Sequence, residues 1–143
     1  MLMNLSIGLP TMMLCLVLQS SLLVYVLRYY ARREHLVRSP TIGTSMIVIN
    51  SVMLMLIVGN VAQVMIWAML FMVLGEFSEF STAVYHSAVN FSTLGYGDIV
   101  MSDEYRLLGP LESINGVIMI GVTTSALMAV IQDAWKKHSS QGR

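Results

Sequence analysis

The sequence predicts an all-α membrane protein: three transmembrane helices, with a short helix and loop dipping into the membrane between the second and third. Three observations carry this. First, three apolar stretches each reach the length of a bilayer crossing, about 20 residues. Second, 56% of the 143 residues are hydrophobic and only 11% are charged, where an ordinary soluble domain is about 25% charged. A chain this short cannot bury so much apolar surface in a core of its own. Third, the eight basic and eight acidic residues cancel in total but are sorted along the chain. This composition excludes a monomeric soluble enzyme. It also excludes a disordered regulator, which needs low hydrophobicity and high net charge.

The first span runs from about Ile7 to Leu27 without a charge. A signal peptide would have a basic start, a shorter apolar core and small residues at its end. Here nothing basic precedes Ile7, and Arg28, Arg32 and Arg33 follow the run. The stretch reads as a retained span with its N terminus outside. The second span, Thr41 to Leu74, is also uncharged and long enough to tilt or to project beyond the bilayer. Asn60 and Gln63 lie three residues apart on one of its faces and read as helix-joining polar groups. Trp67 reads as a packing aromatic.

Gly75 to Arg106 differs in character. Ser78-Glu79-Phe80-Ser81-Thr82 suits a helix start, because Ser and Thr side chains cap free N–H groups. Ala83 to Phe91 follows as an amphipathic helix, too short to cross a bilayer. Ser92-Thr93-Leu94-Gly95-Tyr96-Gly97-Asp98 comes next, and its alternate glycines oppose a helix. Gly109-Pro110 opens the third span, Leu107 to Ile131, with Pro110 suited to a first helical turn. That span contains one acid, Glu112. As an intramembrane acid it is read two ways: it stabilises a helix N terminus, or it is a strut behind the loop, with Asn115 one turn deeper. Trp135 reads as an interface anchor.

The charges set the orientation. Arg28, Arg32, Arg33 and Arg38 lie between spans one and two, and Lys136, Lys137 and Arg143 follow span three. With both regions cytoplasmic, only Arg106 is a basic residue outside, as the positive-inside rule requires. Glu76, Glu79, Asp98, Asp103 and Glu104 then fall on the outer side, so the loop enters from outside. The basic cluster could also hold anionic lipid headgroups.

Thr93-Leu94-Gly95-Tyr96-Gly97-Asp98 carries the chemistry. A dehydrating cation needs oxygens in place of its water, and an extended backbone with its carbonyls on one side supplies them. Glycine at alternate positions permits the required angles. Irregular backbone at membrane depth is tolerated only where it lines a water-filled path or is buried in protein. This segment resembles the selectivity filter of the potassium channel family, whose usual form is Thr-Val-Gly-Tyr-Gly. Gly75 to Ile131 resembles that family's module of pore helix, filter and inner helix. Gly59 to Phe77 and Arg106 to Gly116 resemble its small bacterial members.

The resemblance implies a homotetramer. Each chain would supply three transmembrane helices plus a re-entrant pore helix and selectivity-filter loop. The carbonyls of Thr93, Leu94, Gly95 and Tyr96, with the Thr93 hydroxyl, would bind K⁺ in stacked sites ending at Gly97, and Asp98 would stand at the outer mouth. Tyr96 would point away from the pore, held by Tyr85 and by His86. Gly121 would be an inner-helix hinge, with Val122, Thr123 and Thr124 near the cavity. Residues 1–40 would be an additional helix and basic loop, 41–135 the pore domain and 136–143 a short tail. The implied location is the inner membrane, and the implied activity is passive K⁺ conduction rather than catalysis. No organic cofactor and no nucleic acid is implied; lipids are, and gating by nucleotide or calcium would need a separate regulatory subunit. Three departures stand out. Leu94 replaces Val, which leaves the carbonyl but alters the packing behind it. Val89 stands where some members carry a Glu that braces the residue matching Asp98. Span one lacks the Arg/Lys series of a voltage sensor. A weakly selective cation pore, a non-conducting regulatory subunit and a membrane scaffold stay open as alternatives.

The remaining features read plainly. Cys15 has no disulfide partner, and His35, His86 and His138 have no ligand spacing. His86 reads as a packed or hydrogen-bonding ring. The 13 methionines are flexible apolar filler rather than a copper array. Asn4-Leu5-Ser6 and Asn90-Phe91-Ser92 match the glycosylation pattern. No GKS/GKT, HExxH or GxSxG motif is present.

Overall fold

The computed structural model describes residues 1–33 and 42–139, except the side chains of residues 42, 44, 138 and 139. Arg38, Arg143, His35, Thr41 and the side chain of His138 therefore lie outside the described residues. Four helices follow one another: α1 (Leu2–Arg32), α2 (Ile42–Val73), α3 (Phe80–Phe91) and α4 (Leu108–Ser139). No strand occurs among the described residues. Helices α1, α2 and α4 are long and apolar enough to cross a membrane. At 1.5 Å per residue, α2 and α4 with 32 residues each are about 48 Å long, against roughly 30 Å of hydrocarbon. The chain is a membrane protein.

Helices α1 and α4 exceed their apolar runs, while α2 lies within its own. The uncharged stretch ends at Leu27, yet α1 continues through Arg28 and Arg32. Polar residues end the apolar window without breaking the helix. The short helix begins at Phe80, three residues before the amphipathic pattern. Its N-cap is Glu79, in extended backbone, and no side chain caps it. The cap expected from the nearby Ser and Thr residues is not made.

Three layers hold α1, α2 and α4 together. One apolar cluster gathers Val26 and Tyr30 of α1, Val48, Val52 and Leu56 of α2, and Ala126, Val130 and Ala134 of α4. The other gathers Cys15, Trp67, Phe71, Phe91, Leu108 and Met119. Between them along every helix lies a polar layer of Gln19, Asn60, Gln63 and Thr123. The buried residues of α1 explain its docking. Asn4, Cys15 and Val26, and likewise Gly8, Gln19 and Tyr30, are spaced eleven apart. That period is 3.67 residues per turn, close to the natural helix, so one stripe stays against its neighbours from end to end.

Candidate functional site

Helix α3 is fastened to both long helices beside it. Ser87 Oγ sits between the Val64 carbonyl of α2, at 2.8 Å, and Glu112 Oε1 of α4. The Ser113 hydroxyl donates to the Asn90 carbonyl at 2.9 Å. Gly116 lies against the backbone of Phe91, with no room for a Cβ. An aromatic cage of Phe71 and Phe77 surrounds His86, with centroids 5.6 and 5.0 Å away. These contacts set where the C-terminal end of α3 stands, and so where the next segment begins.

Glu112 is fully buried and lies in the second turn of α4, because the helix starts at Leu108. The reading as a first-turn dipole partner is therefore corrected, and Glu112 instead faces Ser87 of α3. Its Oε2, together with Trp67 Nε1 and both amide atoms of Asn115, is buried without a hydrogen-bond partner among the described residues. Cys15 lies beside Trp67 and Asn115, and Asn90 beside Glu112, without hydrogen-bond geometry. Buried polar groups left unpaired are costly, so this cluster is the least satisfied part of the interior.

The end of α3 is a Schellman motif. Thr93 N–H donates to the Asn90 carbonyl at 2.9 Å, and Leu94 N–H to the Val89 carbonyl at 3.0 Å. Such a motif places its C′ residue in the left-handed region, usually as glycine. Here the residue is Thr93, at φ 62°, the one non-glycine with positive φ among the described residues. A β-branched side chain there is a true outlier, worth about 1–2 kcal/mol of strain. Gly95 at φ 55° and Gly97 at φ 72° follow, so the backbone sign reverses at every second residue from 93 to 97. The glycines were legible in the sequence, but the matching role of Thr93 was not: no propensity rule places a β-branched residue there.

Side chains from Ser92 to Asp98 are exposed in the single chain, Tyr96 to 66%. The sequence paired Tyr85 with Tyr96. In the single chain the Tyr85 hydroxyl donates to Asp98 Oδ2 at 2.7 Å. The brace that Val89 cannot supply thus comes from Tyr85, one turn earlier on the same helix face. His86 Nδ1 lies 3.1 Å from the Ile99 carbonyl. A carbonyl only accepts, so Nδ1 carries the hydrogen, and Nε2 accepts from the Asn90 amide at 2.9 Å. Tyr85 and His86 together tie the segment's far end back to α3.

These bonds shift the titrations. The hydrogen bond from Tyr85 holds Asp98 below its ordinary value of 3.8, and the same bond raises Tyr85 above 10.0. A depressed carboxylate contributes stability above its unfolded pKa and loses it as pH falls through the folded one. A raised phenol contributes below its unfolded pKa and loses it as pH rises. The brace is therefore intact from about pH 4 to pH 10. Burial lowers His86 from 6.5, so its packing is at full strength above pH 6.5 and is lost as pH falls below that.

On α4 the expected cavity residues separate. Gly121 and Thr124 are exposed, and the Thr124 hydroxyl donates to its own helix at Ile120. Thr123 is turned about 100° from Thr124 around the helix and is engaged by Gln19 and Asn60. Thr123 thus lies in the polar layer among α1, α2 and α4, while Thr124 faces away from it. Val122 is half-buried beside it.

Among the described residues no group of three or more His, Cys, Asp and Glu side chains could hold a metal ion. The oxygens that Thr93 to Gly97 offers are backbone carbonyls and the hydroxyls of Thr93 and Tyr96. A family model described as "Ion channel" matches residues 44–133, more than half of the chain. No curated protein and no solved structure matches the chain.

Proposed function

Since the chain belongs to the ion channel family, we propose that it forms a potassium-selective pore through which K⁺ flows passively down its gradient. The observation that carries this is the alternation of positive φ at Thr93, Gly95 and Gly97. In a plain strand successive carbonyls point to opposite sides. Reversing the sign of φ at every second residue turns them to the same side, the arrangement that replaces a cation's hydration shell. One chain supplies one wall of such a filter. The exposed side chains from Ser92 to Asp98 fit a segment completed by three further copies around one axis.

In this reading Thr93, Leu94, Gly95 and Tyr96 coordinate K⁺, Gly97 ends the row and Asp98, held by Tyr85, stands at the mouth. Residues 41–135 are the pore domain. The helix α3 directs the negative end of its dipole toward the inner side, where it favours a cation. The N terminus lies outside and the C-terminal tail in the cytoplasm, as the basic residues direct. Conduction of this kind needs no catalytic residue and no organic cofactor.

Flux measured in liposomes tests the reading. Purified protein is expected to pass K⁺ in preference to Na⁺, and barium is expected to stop the flux. Equal flux of the two ions makes the pore a weakly selective one. No flux, with tetramers present, makes the chain a non-conducting partner of another channel.

A further inference from the structure

Helix α1 precedes the matched residues 44–133, yet it is hydrogen-bonded to the rest of the chain at three depths. Near its start, Asn4 Nδ2 donates to the Glu104 carbonyl at 2.9 Å. Midway, Gln63 Nε2 donates to Gln19 Oε1 at 2.8 Å, Gln19 Nε2 to Thr123 Oγ1 at 2.9 Å, and the Thr123 hydroxyl to Asn60 Oδ1 at 3.3 Å. Near its end, the Tyr30 hydroxyl donates to Asp133 Oδ2 at 2.8 Å, with Lys137 on the same oxygen. Gln19 uses its carbonyl toward α2 and its amide toward α4, so it joins three helices through one side chain.

Helix α4 has a soft point just before two of these bonds. A Cβ at Gly121 would meet nothing within 4 Å. The Thr124 and Ser125 hydroxyls donate to the Ile120 and Gly121 carbonyls at 2.9 and 2.8 Å. Hydroxyls bonded back in this way loosen and bend a helix. Both Thr123 and Asp133 follow that point. Between Gln19 and Tyr30 α1 contains neither glycine nor proline and carries one such back-bond, from Ser21 to the Val17 carbonyl, against the two beside Gly121 on α4, so it is the stiffer of the two over this length.

We propose that α1 is a latch on α4: the Gln19–Thr123 and Tyr30–Asp133 hydrogen bonds hold the part of α4 beyond Gly121 against α1, and their release frees that part to swing. Because the inner half of α4 leads away from the Thr93–Gly97 segment, the latch governs passage through the pore. That last step rests on the conducting reading. The latch itself concerns only two helices.

Spin labels at Leu27 and Ala129, which line one groove between α1 and α4, read the latch directly in the full chain in liposomes. The variants are Gln19→Met and Tyr30→Phe. Tyr30→Phe removes a single hydroxyl and leaves Asp133 paired with Lys137, so it carries the test if Gln19→Met is recovered poorly. Each variant is expected to raise the population at a longer shortest-distance about fivefold, the factor that one net hydrogen bond is worth, and to raise K⁺ flux in parallel. Unchanged distances in both variants overturn the latch. A shifted distance with unchanged flux, in a wild type that conducts, overturns its control of passage. A shifted distance where neither wild type nor variant passes ions upholds the latch and overturns the conducting reading instead.

Discussion

Gly116→Ala is expected to cost about 3 kcal/mol of stability or more, the upper end of what overpacking a filled interior costs. The reason is backbone against backbone. A Cβ on residue 116 would stand 2.7 Å from the carbonyl carbon of Phe91 and 3.0 Å from its Cα, with the carbonyl oxygen nearer still. No flexible side chain is available to move aside. Relief requires α3 to shift away from α4, and that strains the Ser113–Asn90 and Ser87–Glu112 contacts together. Because Phe91 leads directly into Thr93, the same shift displaces the site. Thermal unfolding in detergent reads the loss. Gly109→Ala is the control: there a Cβ meets the Asn90 amide nitrogen at 3.3 Å, a side chain that can give way. A melting point for Gly116→Ala equal to that of Gly109→Ala would show that the α3–α4 contact is not close.

Gly95→Ala is expected to have the opposite profile, with little change in melting but at least a tenfold loss of K⁺ flux. Space is not the obstacle, since a Cβ at residue 95 meets nothing within 4 Å. Conformation is. Gly95 sits at φ 55°, where an L-residue costs about 1–2 kcal/mol. Alanine relieves this by leaving the left-handed region, which turns one carbonyl out of the row. In the proposed tetrameric pore each carbonyl would belong to a site for K⁺, and one reversal in each of four copies would remove a ring of ligands. Flux and melting measured on the same preparation decide the matter. Full flux in Gly95→Ala would show that the backbone sign at this residue is irrelevant to passage. A collapse in melting equal to that of Gly116→Ala would show that the loop holds the fold together rather than serving the ion.

The contrast between these two glycines shows what a sequence can carry. The alternation Gly95-Tyr96-Gly97 is written in residue types, and its conformational meaning follows from the missing Cβ. Gly116 looks like any helical glycine; only the crossing of α3 over α4 reveals its task. The three long helices were likewise legible, because apolar runs mark spans, but their ends were not. Arg28 to Arg32 continue α1 past its last apolar residue, as helix propensity is indifferent to the bilayer edge. The hydrogen bond from Tyr85 to Asp98 was not legible. Which side chain a phenol reaches depends on how the chain turns after Gly97, and no local pattern encodes that turn. The resemblance groups Thr123 with Thr124, but one residue of helix rotation separates them, and Thr123 joins the polar layer. The polar layer itself was half visible. Asn60 and Gln63 announced a helix contact, while Gln19, alone in its span, became meaningful only when α1 was seen against α2 and α4.

Carbonyl carbon resonances of Thr93, Leu94, Gly95 and Tyr96, followed by solid-state NMR in liposomes as Na⁺ is exchanged for K⁺, show whether these carbonyls bind K⁺. These four carbonyls are expected to shift with K⁺ at concentrations where Na⁺ leaves them unmoved, while carbonyls in α1 stay in place. Resonances that are the same in both ions, or that respond equally to each, would contradict selective K⁺ binding.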